Sequence, residues 1–220
     1  MNKNRKVAII GAGGQAKVIV DIFRLTGTEI CGYISSEPKG TYINGYQVLC
    51  SIDEFANSNN ALGIDEIIIS IGDNFIRSNI VAKLSHLNIK YINAIHPRSN
   101  ISSRAIIGED VVINAGATIN SHAVIGSHCN IGSNSSIDHD CCIKNYVNIA
   151  PGAILCGNVI VHEFSVIGPG AVVIEKINVG ANSLIAAGSV VVNNINNNTV
   201  IMGVPGKSQG CRQKGKKYLR

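Results

Sequence analysis

Hydrophobic residues follow two different rhythms along this chain. In residues 1–95, short apolar runs alternate with segments whose apolar residues recur at helical spacing. KVAII (6–10) reads as a strand that ends in GAGGQA. QAKVIVDIFRLTG reads as a helix closed by Gly27. EICGYI (29–34), DEIIISIG (65–72) and IKYINAI (89–95) read as strands, and SIDEFANS and NFIRSNIVAKLSHL as helices. From Ile101 the rhythm becomes a strict six: ISSRAI, IGEDVV, INAGAT, INSHAV, IGSHCN, IGSNSS, IDHDCC, IKNYVN, IAPGAI, LCGNVI, VHEFSV, IGPGAV, VIEKIN, VGANSL, IAAGSV, VVNNIN.

All sixteen hexads begin with Ile, Leu or Val, and the fifth place is always Ala, Ser, Cys, Val or Ile. An internal repeat of this length takes precedence in reading the fold. Ten of the sixteen fourth-place residues are Gly, Asn or Asp, the types that best tolerate a left-handed backbone. Each hexad is therefore a short strand plus a turn. Gly116, Asn134, Gly152, Gly170 and Gly188 recur every 18 residues, which implies three hexads per coil of a triangular solenoid. First and fifth places then face its interior. The predicted architecture is a Rossmann-like parallel α/β sheet over 1–95, followed by a parallel β-helix over 96–220.

Composition narrows the picture further. Hydrophobic residues make up 45% of 220, aromatics only 5%, and Trp is absent, so the core is built from Ile, Val and small residues. The formal charge of +5 gathers in the tail GKSQGCRQKGKKYLR, which reads as a solvated end rather than a nucleic-acid arm. Seven cysteines at irregular spacing form no CxxC pair and no disulfide framework, which predicts a reducing, cytoplasmic setting. The apolar stretch in MNKNRKVAII breaks at GAGG, too short for a signal peptide, and no run reaches the length of a membrane span.

The candidate chemistry lies in NSSIDHDCCIKN (134–145). In the hexad register Ile137 and Cys141 point inward, so Cys141 is a small core residue rather than a nucleophile. Asp138, His139, Asp140 and Cys142 remain outside. His139 has small neighbours one coil away, Ser121 and Gly157. A histidine beside a carboxylate suits general-base work, because the carboxylate fixes the tautomer and stabilises the imidazolium. A solvated His–Asp turn is the alternative. Asp140 also lies 18 residues after His122 and would serve that ring equally well. A zinc site built from His122, His128, His139 and His162 is disfavoured, since 122 and 128 fall on different faces unless neighbouring subunits supply ligands.

GAGGQA satisfies G-x-G-x-x-A between a strand and a helix. A dinucleotide site would also need an acid at the end of the second strand. Ser35 and Ser36 stand there, with Glu37 the nearest acid, so the loop reads better as a cradle for one nucleotide diphosphate.

Together, GAGGQAK, the hexads, the HD pair and the closing VIMGVPGK resemble the sugar O- and N-acetyltransferases with hexapeptide repeats, over the whole chain. The resemblance implies a left-handed β-helix, acetyl-CoA as donor, a homotrimer, no metal, and an acceptor that is a nucleotide-linked 4-amino-4,6-dideoxy sugar. It implies His139 as base and Asp140 as its support. It also implies Gly13, Gly14, Gln15, Ser35, Ser36 and Gly72 at the nucleotide, and Asn148, Pro169, Ala187 and Lys207 along the donor. Many relatives have His at the places of Gln15 and Asn148. Sialic acid O-acetylation, a non-catalytic nucleotide-sugar sensor and a dehydrogenase are the alternative readings. The nucleotide base and the stereochemistry of the sugar are left open.

Overall fold

The computed structural model describes residues 5–213 and 215; the end of the basic tail lies outside them. The chain divides into two compact units between Pro97 and Arg98.

The first unit holds β1 (Val7–Ile10), α1 (Gly14–Thr26), β2 (Ile30–Ile34), β3 (Tyr42–Ile43), β4 (Tyr46–Cys50), α2 (Ile52–Asn57), β5 (Glu66–Ile69), α3 (Asn74–Leu84) and β6 (Lys90–Tyr91). The sheet order is β3-β4-β2-β1-β5-β6. Every pairing is parallel except the β3–β4 hairpin. That hairpin is absent from the sequence reading: its residues alternate too briefly to register as strands. The central strands are apolar runs buried on both faces, as parallel strands with helical crossovers require. α1 ends where Gly27 adopts φ 71°, and its N–H returns to the Phe23 carbonyl. α2 starts at a reciprocal capping box between Ser51 and Glu54.

The second unit is a three-sided parallel β-helix of two-residue strands in exact 18-residue register, for example Thr118↔Ser136↔Ile154. The first-place residues from Ile113 to Val191 are all buried, as are the fifth-place residues from Val111 to Ser189. Each buried Ile or Val side chain contributes about 1.5–3 kcal/mol, so the stack is stabilised all along its length. The fourth place has positive φ from Asp110 through Gly188, including His122, His128, Tyr146, Phe164 and Lys176 as well as the expected Gly, Asn and Asp. The turn geometry thus outweighs residue preference at those positions.

The asparagine run 193–198 closes the coil. Here the offset between coils shortens from 18 residues to 16: Ile195 bridges Val179 in parallel, and Asn194 Oδ1 accepts from the Asn178 N–H at 2.8 Å and Asn197 Oδ1 from the Ala181 N–H at 2.7 Å on either side of that bridge. The chain then forms a hairpin of Thr199–Met202 with Lys207–Cys211. All seven cysteines are free. Among the described residues no helix is long and apolar enough to cross a membrane.

Candidate active site

The prism has three corners, and the sequence-predicted residues separate among them. His139 and Asp140 lie on the corner between the strands Ser136–Ile137 and Cys142–Ile143. The Asp140 N–H donates to the Ser121 carbonyl of the coil below, and the Asn158 N–H to the His139 carbonyl from the coil above. His139 Nδ1 lies 2.8 Å from Asp140 Oδ2, with both side chains about half exposed. His122 instead has its Nδ1 3.0 Å from Ser121 Oγ. Asp140 therefore serves His139.

With Nδ1–H donating to Asp140, Nε2 is the basic nitrogen of a neutral ring. The imidazole lies against Gly157: a Cβ built there would stand 2.7 Å from both Cε1 and Nε2. The Gly157 N–H has no hydrogen-bond acceptor among the described residues. The hydrogen bond to Asp140 raises the His139 pKa, and the Asp138 charge adds to the effect. Asp138 forms a support that sequence reading missed. Its Oδ1 accepts from Asn120 Nδ2 and from the His139 N–H, each at 2.8 Å. Those bonds, the Asn120 bond foremost, hold its carboxyl below the usual range. Asn120 precedes Asp138 by one coil of 18, so the repeat itself carried the signal.

Cys141 is fully buried; its thiol donates to the Cys156 carbonyl, and burial pushes its pKa up to about 11. It is no nucleophile. Among the described residues no group of three His, Cys, Asp or Glu side chains converges as a metal site. His128, on another corner, lies 2.9 Å from the buried Asp110 and stacks on Tyr146 at 4.8 Å, which in turn stacks on Phe164 at 5.0 Å.

Pro169 and Ala187 stack as a column on a third corner, where the Gly170 N–H donates to the Pro151 carbonyl and the Gly188 N–H to the Pro169 carbonyl. Asn148 is buried, in the strand that leads into that same corner. One chain thus keeps this set away from the corner of His139. Lys207 is exposed at the start of the closing hairpin strand.

In the first unit, Gly13, Gly14 and Gln15 follow β1, Ser35 and Ser36 follow β2, and Gly72 follows β5. They gather at the carboxyl ends of neighbouring strands, where the sheet order reverses and ligands of open α/β sheets bind. Gly13 caps α1 without a side chain, and a Cβ at Gly13 or Gly14 would meet nothing within 4 Å. Uncapped N–H groups at a helix start suit phosphate oxygens. The Gln15 Nε2 is buried without a partner among the described residues. The Ser35 side chain is buried and accepts from the Glu37 N–H at 3.2 Å, while Ser36 is exposed. The fully buried Arg77, absent from the sequence reading, clamps the Ile71 and Gly72 carbonyls at 2.6 and 3.3 Å.

Comparison with known proteins adds a consistent set of relatives. The PglD N-terminal domain family matches residues 6–84. PerB of Caulobacter crescentus, solved with CoA and GDP-perosamine, is 32% identical with a TM-score of 0.88, over 93% of this chain and 97% of that one. The acetyltransferase domain of PglB from Neisseria gonorrhoeae, solved with acetyl coenzyme A, is 33% identical with a TM-score of 0.86, over 94% and 100%. Among curated proteins, the UDP-N-acetylbacillosamine N-acetyltransferase of Bacillus subtilis is 33% identical over 112 residues, 50% of this chain and 52% of that protein. A protein of Acanthamoeba polyphaga mimivirus is 31% identical over 103 residues, 47% of this chain. The chain spans about half the length of the first of these curated relatives and a fifth of the second.

Proposed function

Because this chain belongs to the sugar N-acetyltransferases with a left-handed hexapeptide-repeat β-helix, we propose that it moves the acetyl group of acetyl-CoA to the 4-amino group of a nucleotide-linked 4-amino-4,6-dideoxy sugar. The observation that carries this reading is the His139–Asp140 pair. It presents a free Nε2 beside a glycine with an unengaged N–H.

In this reading the first unit recognises the nucleotide, with Gly13, Gly14, Gln15, Ser35, Ser36 and Gly72 at the phosphates and sugar. The chemistry takes place on the second unit. His139 Nε2 takes a proton from the amine as nitrogen attacks the thioester carbon. Asp140 steadies the imidazolium through Nδ1–H. The Gly157 N–H stabilises the developing oxyanion. The imidazolium then returns its proton to the departing CoA thiolate, and no acyl-enzyme forms.

Asn148, Pro169, Ala187 and Lys207 hold the donor. The corner of Asn148, Pro169 and Ala187 differs from that of His139, which supports a site completed by a second copy and hence the homotrimer. The exposed stripe of Ile106, Val124 and Ile160 along one face favours the same association. Seven free cysteines fit a cytoplasmic enzyme. Thiol release from acetyl-CoA, assayed across UDP-, dTDP- and GDP-linked 4-amino sugars and free sialic acids, tests the proposal. Release with sialic acids alone would favour O-acetylation instead.

A further inference from the structure

Third-place residues of one corner stack His139, Gly157 and Glu175 on successive coils. The Asn158 N–H to His139 carbonyl bond and the Lys176 N–H to Gly157 carbonyl bond, both 3.0 Å, fix that stacking. Strands of neighbouring coils lie about 4.8 Å apart, so the His139 and Glu175 backbones stand on the order of 10 Å from each other. Glycine between them supplies no side chain. Nδ1 of His139 is taken by Asp140, and the Nε2 edge lies over Gly157. The imidazole edge itself occupies the place a Gly157 side chain would take, so one coil, about 4.8 Å, separates it from the Glu175 backbone, and an exposed carboxylate there can reach a nitrogen bound at Nε2.

We propose that Glu175 is a specificity-determining residue that receives the acceptor amine as an ammonium ion, across Gly157 from His139. This deepens the acetyltransferase reading and rests on it for the identity of the reaction. A 4-amino sugar is largely protonated in neutral water, whereas a 4-hydroxyl carries no charge. A carboxylate at this place attracts the first and offers the second only a hydrogen bond. His139 feels Glu175 along with Asp138 and Asp140. The opposite charges on the same corner are Lys176, next to Glu175, and Arg104, two coils from Asp140; both are fourth-place residues displaced from the third-place column.

The steps balance. The bound ammonium gives one proton to solvent. His139 takes a second as the C–N bond forms, and returns it to sulfur as the C–S bond breaks. The sum is R–NH3+ plus acetyl-CoA giving R–NH–acetyl, CoA–SH and one H+.

Calorimetric binding provides the test, with UDP-, dTDP- and GDP-linked 4-amino-4,6-dideoxyhexoses set against their 4-hydroxy counterparts, on the full chain and on E175Q and E175D. The parent chain is expected to favour the amine by about two- to fivefold, the order of an exposed ion pair. E175Q should lose that preference, E175D should keep part of it, and acetyl-CoA affinity should stay unchanged in both. Equal preference in the parent chain and E175Q overturns the role of Glu175, even if thiol release proceeds. A preference that E175Q abolishes, without thiol release from the parent chain, upholds Glu175 and removes the transferase reading. No binding of any nucleotide sugar to the parent chain removes both.

Discussion

Asp140 Oδ2 holds Nδ1 of His139 at 2.8 Å, although the two are sequence neighbours and His122 occupies Asp140's own column one coil below. The left-handed turn at Asp140, φ 60°, accompanies this neighbour-to-neighbour contact. Replacing His139 by Ala should lower turnover by about 10²–10⁴-fold and leave the circular dichroism spectrum and melting temperature unchanged. Full activity in that variant would remove His139 from the mechanism.

Asp140→Asn tests the support of the ring. The hydrogen bond to Asp140 raises the His139 pKa. A general base works when neutral, so activity falls as pH drops through that pKa. Without the carboxylate the pKa falls. The acid limb of the kcat/KM profile should then move to lower pH, while the plateau rate drops because the base is weaker. An acid limb that stays in place would separate Asp140 from the titrating group.

Asn120→Ala removes the bond that chiefly keeps the Asp138 carboxyl below its usual range. Asp138 should then protonate at higher pH and support the His139 turn less well. The expected result is a loss of kcat that grows toward acid pH, with little change in the KM for acetyl-CoA. A loss independent of pH would reduce Asn120 to a structural bond.

Two glycines separate the two ways in which a turn can reject a side chain. Gly170 has φ 63° and open space around a built Cβ, so Gly170→Ala should cost about 1 kcal/mol from backbone conformation alone. Gly132 has an ordinary φ, but a Cβ there would stand 2.5 Å from the Pro151 nitrogen and 2.6 Å from the Ala150 carbonyl carbon. Backbone cannot yield as a side chain does, so Gly132→Ala should cost more, about 1–3 kcal/mol. Urea denaturation of both variants reads the difference, and the reverse order would contradict the hexad geometry.

The exposed stripe on one prism face provides a test of assembly. Introducing Lys at both Val124 and Ile160 should convert a species of three times the chain mass, measured by light scattering, into monomer. An unchanged mass would place the contact on another face.

The solenoid was the most legible part of the chain, because a period of six fixes both which residues point inward and which lie 18 apart. Cys141 could be assigned to the core on that ground alone. The choice between His122 and His139 as partner of Asp140 was not legible, since it depends on side-chain rotamers at a left-handed residue. Tyr146 and Phe164 at turn places were also hidden, because residue preference argues against positive φ there and only the repeat imposes it. In the first unit, the glycine loop announced itself between a strand and a helix. The Arg77 clamp did not: a buried arginine that bonds carbonyls leaves no periodic trace. Ser35 was placed at the nucleotide by resemblance, and the bond its hydroxyl oxygen accepts from the chain's own Glu37 amide was not legible in the sequence.

Acetyl transfer itself is read most directly by incubating the chain with acetyl-CoA and the panel of UDP-, dTDP- and GDP-linked 4-amino-4,6-dideoxy sugars, measuring released thiol and sugar mass together. The account predicts that one of these acceptors gains an acetyl group in step with thiol release, and that His139→Ala suppresses both. Acceptors that bind without gaining acetyl, or acetylation that His139→Ala leaves intact, would contradict it.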